Sequence, residues 1–235
     1  MDIVCDLVLN DWNLLPMNLI LIGPQGSGKG TQGELLTKTY NLTLIEMGSV
    51  IRKAAIEPTY RGKLLNSWVN QKGKLLPDGI VFGIFTNYLE RLGVYNGLIL
   101  DGYPRSVKQF SLLEDYFANR GQIIDLAICL DIPIELTIKR LTNRLVCTRC
   151  GEIYNLETNP PPKDSLCKCG GKLTKRIDDQ PEAIKTRLEY FHQITQPLLT
   201  ILDEKGILVQ IDGSHEAGEV FRLIQKVLVR KGLVS

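Results

Sequence analysis

The stretch LILIGPQGSGKGTQ, residues 19–32, decides the fold of this chain. Its apolar start predicts a short buried strand, and the pattern G-x-x-x-x-G-K runs from Gly23 to Lys29, in the strand, loop and helix setting that this motif needs. The glycines let several backbone N–H groups converge on one concave site, and the helix that begins near Lys29 adds the positive end of its dipole. A glycine-rich turn with a surface lysine is the plainer alternative. The preceding strand and the density of glycine favour a loop that binds nucleotide phosphates.

The residues after the lysine depart from the general motif. Gly30 follows Lys29 directly, and the hydroxyl comes one position later, at Thr31. Lys-Gly-Thr-Gln in this position resembles the nucleoside monophosphate kinases, and the adenylate kinase family above all. The resemblance covers about residues 17–230, which is nearly the whole chain.

The resemblance implies an α/β fold, the three-layer P-loop kinase fold with a five-stranded parallel sheet, over residues 17–235. Two insertions are expected. Residues 46–76 would form a helical insertion that binds the acceptor nucleoside monophosphate, and residues 143–179 would form a zinc-binding lid of the long bacterial type. Residues 1–16 are expected to be either an N-terminal extension or the result of a mis-assigned start, because Met17 lies just before the first strand.

The composition is that of an ordinary globular protein, with 44% hydrophobic and 23% charged residues. The formal net charge of +2 argues against a broad nucleic-acid surface. No apolar run approaches the ~20 residues that cross a bilayer. Residues 1–16 contain no lysine or arginine, which a signal peptide would carry. We therefore expect a cytoplasmic monomer that binds small nucleotides and has no nucleic-acid or membrane partner.

Two segments resemble the part of the family that binds the acceptor. Residues 47–52, MGSVIR, follow the family form S/T-G-D-x-L-R, in which the arginine holds the acceptor's phosphate, and Arg52 suits that role because a guanidinium grips two oxygens at once. Met47 stands where a threonine or serine is common, which leaves the acceptor base open. Ser49 replaces an aspartate that would help to arrange the metal's water shell. Residues 74–78, KLLPD, resemble a turn along the acceptor base, although alone they predict only a helix start.

A buried strand over residues 98–101 is predicted to end in a carboxylate, Asp101. The carboxyl edge of a parallel sheet is where open α/β proteins bind ligands, so Asp101 is the candidate acid that orients Mg²⁺ through water. Residues 101–105, DGYPR, resemble the family sequence D-G-F-P-R. The resemblance implies that Arg105 holds the acceptor phosphate and that Gln109 offers its amide to an adenine edge.

Two arginines follow the next predicted strand, Ile123 to Asp131. A helix that begins at Pro133 is expected to carry Arg140 and Arg144, which are four residues apart and would then project from one helical face. Two like charges on one face cost stability unless an anion lies beside them. This spacing predicts ligands of a phosphate or nucleotide, and a solvated basic face is the alternative.

Four cysteines form two close pairs inside the expected lid. Cys147 and Cys150 make a C-x-x-C pair, and Cys167 and Cys169 make a C-x-C pair, with glycine after each. Thiolates at short spacing next to glycine turns resemble a pair of zinc knuckles, and four thiolates leave no open position, so the zinc would be structural. The alternatives are two disulfides, or a partly decayed site in which Asp164 is the fallback ligand.

The end of the lid and the last turn complete the resemblance. Residues 176–179, RIDD, match the R-x-D-D with which the family's lid ends, and Arg187 follows eleven residues after Arg176, as in the family. The aspartates are expected to cap the next helix or to pair with arginines. His215 lies in the turn before the final helix, where the family's backbone touches the donor's adenine.

The resemblance therefore implies a complete set of site residues. The groups expected at the transferring phosphoryl group are Lys29, Arg105, Arg144, Arg176 and Arg187. Those expected to bind ATP are Gly26, Ser27, Gly28, Lys29, Gly30, Thr31, Arg140, Arg144, Ile153, Tyr154 and His215. Those expected to bind AMP are Met47, Arg52, Lys74, Leu75, Leu76, Gly102, Tyr103, Pro104, Arg105, Gln109, Arg176 and Arg187.

The chemistry predicted is direct in-line transfer from Mg·ATP to AMP, giving two ADP, because phosphoryl transfer needs positioning and charge stabilisation rather than a protein nucleophile. Mg²⁺ bound with ATP and a structural Zn²⁺ are the expected cofactors. A kinase for another nucleoside monophosphate, or a GTP:AMP phosphotransferase, is the competing enzyme. A zinc-ribbon module that binds nucleic acid under nucleotide control is the alternative of a different class.

Overall fold

The computed structural model describes residues 16–69, 76–162, 164–176 and 179–234. Residues 1–15 lie outside the described part of the chain, as do Lys74, Leu75 and Asp178. In chain order, the elements are β1 (Leu19–Ile22), α1 (Lys29–Tyr40), β2 (Thr43–Glu46), α2 (Met47–Ala55), α3 (Tyr60–Val69), α4 (Asp78–Leu92), β3 (Leu98–Asp101), α5 (Val107–Ala118), β4 (Leu126–Asp131), α6 (Ile134–Thr142), β5 (Arg144–Cys147), β6 (Ile153–Asn155), β7 (Leu173–Thr174), α7 (Pro181–Tyr190), a π-helical turn (Phe191–Thr195), α8 (Gln196–Glu204), β8 (Leu208–Asp212) and α9 (Ala217–Arg230).

The main sheet has five parallel strands, as the family resemblance implied, and their order is β2-β3-β1-β4-β8. The central strands β1, β3 and β4 are apolar and buried on both faces except at the carboxyl ends of β3 and β4, since successive side chains point to opposite sides and both sides are covered. Leu19 and Leu21 of β1 pack with residues of α1 and α9, whereas Ile20 and Ile22 pack with residues of α4, α5 and α8. Helix, sheet and helix therefore form three layers.

The strand order places the ends of β1 and β3 side by side. β1 lies at the centre of the sheet, between β3 and β4, so the chain crosses over in opposite directions on its two sides. In such sheets the crevice at the carboxyl ends of the central strands is the ligand site. The loop after β1 and Asp101 at the end of β3 both lie at this crevice.

The segment expected to form the lid, residues 143–179, carries a separate sheet of three antiparallel strands in the order β6-β5-β7. The prediction that Arg140 and Arg144 share one helical face is wrong, because α6 ends at Thr142 and Arg144 is the first residue of β5. The helix ends where Asn143 leaves helical geometry, and its carbonyl accepts a hydrogen bond from the N–H of Leu156 at 3.0 Å. Strand pairing with β6 thus begins directly after the helix.

The described helices were compared with the length and hydropathy that a membrane-spanning helix needs. Within the part of the chain that the structure describes, no helix is both long and apolar enough to cross a membrane.

A buried asparagine connects three strands at the amino end of the sheet. The side chain of Asn18, which is 1% exposed, donates to the carbonyl of Ile123 at 2.9 Å and accepts from the N–H of Leu98 at 3.2 Å.

We expect Asn18→Ala to lower the free energy of unfolding by roughly 2 kcal/mol, since buried backbone groups would lose their partners. Urea denaturation measures this, with the exposed Asn119→Ala as the control. Equal stability of the two variants would contradict the role of Asn18.

Candidate active site

The loop between β1 and α1 is wrapped tightly against the neighbouring strand. Gly23 has a φ of 147°, and a Cβ there would lie 2.4 Å from the carbonyl oxygen of Leu130, so only glycine fits. Gly28, with a φ of 97°, turns the chain into α1. The loop therefore forms the concave backbone site that its sequence predicts, at the amino end of a helix, where anions bind.

Lys29 points its ammonium group back into this loop. Its Nζ donates to the carbonyls of Gly23 at 2.9 Å and Pro24 at 2.8 Å, and lies 3.4 Å from the Ser27 hydroxyl. Burial lowers the pKa of Lys29, and the carboxylate of Asp101 opposes that shift. Carbonyl dipoles solvate the charge but do not neutralise it, so the loop retains a positive charge that a phosphate group can meet.

Two carboxylates lie side by side next to the loop. Glu46 and Asp101 are register partners at the ends of β2 and β3, and a Cβ on Gly30 would lie 3.5 Å from an oxygen of Glu46 and 4.0 Å from one of Asp101. Burial raises the pKa of Asp101, and Lys29 and Arg105 oppose the shift. Burial and then Asp101 raise the pKa of Glu46. Carboxylate oxygens beside a phosphate site suit Mg²⁺. Sequence patterns do not single out Glu46, and strand register is the signal that marks it.

Arg140 connects the phosphate loop to the turn that follows β8. Its guanidinium donates to the carbonyls of Gly26 at 3.3 Å, Gly213 at 3.0 Å and Ser214 at 3.2 Å. His215 follows in the same turn, and its exposed side chain lies 3.4 Å from the carboxylate of Asp212. The structure thus brings Arg140 and the backbone of this turn together beside the loop.

Four side chains form a hydrogen-bonded chain across the loop. Arg144 donates to both carboxylate oxygens of Asp179, with Nε at 2.8 Å from Oδ2, and the Asp179 side chain is 2% exposed. Gln25, a loop residue, donates to Asp179 at 3.2 Å and accepts a hydrogen bond from Arg187. The expected pairing of a lid aspartate with an arginine is therefore present for Asp179. Sequence analysis missed Gln25, because the phosphate-loop pattern allows any residue there.

The D-G-Y-P-R turn is fixed to the start of α4. Arg105 donates through Nε to the carbonyl of Gly102 at 2.9 Å, and a Cβ on Gly102 would lie 3.1 Å from the guanidinium. The Gln109 side chain accepts from the N–H of Arg105 at 2.7 Å and donates to Asp78 at 2.9 Å. These bonds use one donor and one acceptor of the Gln109 amide, which has two of each.

The expected acceptor residues divide into those with accessible and those with buried side chains. Met47 and Tyr103 are each 1% exposed, and the Tyr103 ring stacks on Phe85 with centroids 4.6 Å apart. Contacts of these two residues with a nucleotide would therefore come from their backbones. Arg52 lies across Gly48, whose Cβ position is 3.2 Å from the guanidinium. Leu76 packs against the core below α4.

The four lid cysteines converge on one point. The Sγ atoms of Cys147 and Cys169 are 3.5 Å apart, as are those of Cys150 and Cys167, and all four atoms lie within 4.8 Å of one another. Disulfide bonding requires about 2.0 Å, so these are free thiols. Around a tetrahedral zinc with Zn–S bonds near 2.3 Å, sulfur atoms are spaced by about 3.8 Å. The geometry therefore fits one four-thiolate site, without Asp164.

The backbone around the cysteines also fits a metal. A Cβ on Gly171 would lie 2.6 Å from the sulfur of Cys147, so only glycine permits this approach. Backbone N–H groups, first of Cys150 and then of Arg149, lower the pKa of the Cys147 thiol, whereas the neighbouring thiols of Cys169 and Cys167 raise the pKa of Cys150. The Tyr154 hydroxyl lies 3.4 Å from the sulfur of Cys167. These features are compatible with a metal site at the four thiols.

A phosphate loop on a parallel sheet, arginines that converge on it and a lid built around four thiols define a P-loop phosphotransferase of the nucleoside monophosphate kinase class. Comparison with known proteins gives the family. The family model described as Adenylate kinase matches residues 21–207. The chain belongs to the adenylate kinase family.

Curated relatives agree over their whole length. An adenylate kinase of Methanosarcina mazei is 40% identical over 215 residues, which cover 91% of this chain and 99% of that protein. An adenylate kinase of Clostridium tetani is 39% identical over 213 residues, covering 90% of this chain and 98% of that protein. One of Oceanobacillus iheyensis is 39% identical over 216 residues, covering 92% of this chain and 100% of that protein.

We expect Cys169→Ser to lower the zinc content per protein and to lower the melting temperature by roughly 5–10 °C, because the lid loses a metal ligand. Turnover of the folded protein should change by less than about threefold, since a closed thiolate site has no catalytic position. Metal analysis and calorimetry measure the first two effects. Cys129→Ala, which removes a buried thiol of β4 outside the cluster, is the control and should keep its zinc. Unchanged zinc and melting temperature in Cys169→Ser would remove Cys169 from the ligand set.

Proposed function

We propose that this chain transfers the terminal phosphoryl group of Mg·ATP to AMP, reversibly, to give two ADP, with the residues assembled around its phosphate loop. Its place in the adenylate kinase family assigns the reaction class. One observation of this structure carries the assignment of the site. Arg144 at the start of the lid and Arg187 on α7, after the lid, both reach the loop that carries Lys29, through Asp179 and Gln25.

ATP would bind along the loop with its phosphates on the backbone N–H groups. The residues proposed to contact them are Gly26, Ser27, Gly28, Lys29, Gly30 and Thr31. Lys29 would exchange its present carbonyl partners for the outer phosphate oxygens, because a charged acceptor makes the stronger hydrogen bond. Arg140 and the backbone at His215 would lie beside the adenine of ATP, in the turn that Arg140 holds through the carbonyl of Gly213. Ile153 and Tyr154 would approach from the lid.

AMP would bind between α2 and the D-G-Y-P-R turn. Arg52 and Arg105 would hold its phosphate, since Arg52 lowers the pKa of Glu46 and Arg105 lowers that of Asp101, the carboxylates that end β2 and β3. Gln109 would offer its amide to the base. Its hydrogen bonds to Arg105 and Asp78 orient that amide. Backbone at Met47, Gly102, Tyr103 and Pro104, together with Lys74, Leu75 and Leu76, would complete the acceptor site.

The transfer step would need no covalent intermediate. An oxygen of the AMP phosphate attacks the terminal phosphorus of ATP, and the bond to the bridging oxygen breaks, so that one ADP forms and another leaves. Lys29, Arg144, Arg176 and Arg187 would stabilise the charge on the transferring group from fixed positions. A lid that delivers arginines also excludes water, which would otherwise compete as the acceptor.

The residues present also fit the two metals that we propose. Asp101 would orient Mg²⁺ bound with ATP through water, with Glu46 beside it at the same sheet edge. Mg²⁺ supplies neutralising charge to the phosphate oxygens. Zinc would be held by Cys147, Cys150, Cys167 and Cys169, and would stabilise a lid that has few apolar residues of its own.

The acceptor is tested by measuring ADP formation from Mg·ATP with AMP, GMP, CMP or UMP, beside a control with water alone. We expect AMP to exceed every other acceptor by at least about tenfold, the effect of roughly 1.4 kcal/mol of base recognition. Exchanging ATP for GTP tests the donor. Preference for another monophosphate would overturn the assignment of AMP as the acceptor. Transfer to none of them would favour the zinc-ribbon alternative.

Arg105→Ala should raise the KM for AMP by about 10- to 100-fold, because a charged hydrogen bond to phosphate contributes roughly 1.5–3 kcal/mol. The KM for ATP should change by less than about threefold. Initial rates with one nucleotide varied at a time measure both constants. Arg120→Ala is the matched control, because that guanidinium lies 3.7 Å from the Tyr116 ring, away from the site. An equal rise in both KM values for Arg105→Ala would contradict an acceptor-specific role.

A further inference from the structure

We propose that Gln25 is a positioning residue, which connects Arg187 to the Arg144–Asp179 pair and so holds Arg187 over the phosphate loop before a nucleotide binds. The inference rests on the proposed function and deepens it, since it gives a role to a side chain that the loop motif leaves open. Gln25 would act through Arg187 and not by contact with the reacting atoms.

The first support is that Gln25 uses both ends of its amide on partners from distant parts of the chain. Its Nε2 donates to Asp179 at 3.2 Å, across 154 positions, and its Oε1 accepts from Arg187, across 162 positions. Among the common side chains of this length, an amide combines a donor and an acceptor. A glutamate would place a second negative charge beside Asp179, and a methionine of similar size would make neither bond.

The second support is that Gln25 stands on a fixed part of the loop. The N–H of Ser27 donates to the carbonyl of Pro24 at 3.2 Å, which closes a turn around Gln25. Arg140 holds the next residue, Gly26, by its carbonyl at 3.3 Å. Because the backbone at Gln25 is fixed, its side chain can hold its hydrogen-bond partners in a fixed position relative to the loop.

The third support is the kind of groups that Gln25 holds. Arg144 and Asp179 form a pair whose side chains are 12% and 2% exposed, and a buried pair keeps its geometry because separation would leave unpaired charges. Arg187 has a long side chain, which loses rotamer entropy when it is ordered. Its bond to a neutral amide fixes it in advance, and a phosphate oxygen, as a charged acceptor, can replace that amide.

This arrangement has a kinetic consequence. Groups that are ordered before the reaction add to transition-state stabilisation without a further ordering cost. Loss of Gln25 should therefore slow the transfer step more than it weakens nucleotide binding. We expect Gln25→Met, which keeps the size of the side chain, to lower the single-turnover rate at saturating ATP and AMP about tenfold. The KM values should change by less than about threefold.

The test is a double-mutant cycle on the single-turnover rate of the full-length, zinc-loaded protein. If Gln25 acts through Arg187, Gln25→Met should change the rate by less than about twofold in an Arg187→Ala background. Gln25→Asn, which keeps the amide, should retain more activity than Gln25→Met. The control is Gln225→Ala on α9, which removes a 3.4 Å bond to Tyr40 far from the loop. A tenfold loss that persists without Arg187, or an equal loss in the control, would overturn the proposal.

A second readout does not depend on the reaction. ¹⁵N relaxation of the Arg187 Nε–H group in the nucleotide-free protein should give a lower order parameter in Gln25→Met than in the parent protein. The same order parameter in both would overturn the positioning role, whatever the acceptor is. Failure of the parent protein to phosphorylate AMP would instead overturn the proposed function, and the order parameters would still decide the role of Gln25.

Discussion

A positive charge held inside a loop of backbone carbonyls is the constraint on which the structure depends. Lys29 is fixed by the carbonyls of Gly23 and Pro24, and the loop that supplies them exists because Gly23 packs without a side chain against Leu130. Burial already lowers the pKa of Lys29, so its charge is maintained at an energetic cost. A bound polyphosphate stabilises the buried ammonium charge of Lys29, so the loop by itself favours nucleotide binding.

Several separate segments of the chain are hydrogen-bonded to this same loop. Arg140 ties the loop to the turn before α9, and Gln25 ties it to Asp179 and Arg187. The lid contributes Arg144 through its first strand, and its small core consists of cysteine side chains packed with Tyr154, Leu145 and Leu173. Separate parts of the chain thus place charged side chains beside the phosphate loop.

The sequence was sufficient for the two central strands, because the run from Leu19 to Ile22 and the run ending at Asp101 are apolar and each is followed by glycine. The five-stranded sheet was implied by the family resemblance. It was sufficient for the thiol cluster, since close cysteine pairs limit the geometry. It failed at Arg144, where a helical spacing was assumed beyond the end of α6. It also missed Glu46 and Gln25. Glu46 is placed beside Asp101 by strand register, and Gln25 is placed beside its partners by contacts between distant segments. Strand register and long-range contacts cannot be read from the local sequence.

The central claim is that the charges around Lys29 move a phosphoryl group directly from ATP to AMP and keep water out. A single turnover with ATP labelled in its terminal phosphate tests this most directly. The account predicts that the label appears in ADP at the rate at which AMP is consumed, with inorganic phosphate formed at least about a hundredfold more slowly, a barrier difference of roughly 2.7 kcal/mol. Release of the label as inorganic phosphate at the same rate with and without AMP would contradict it.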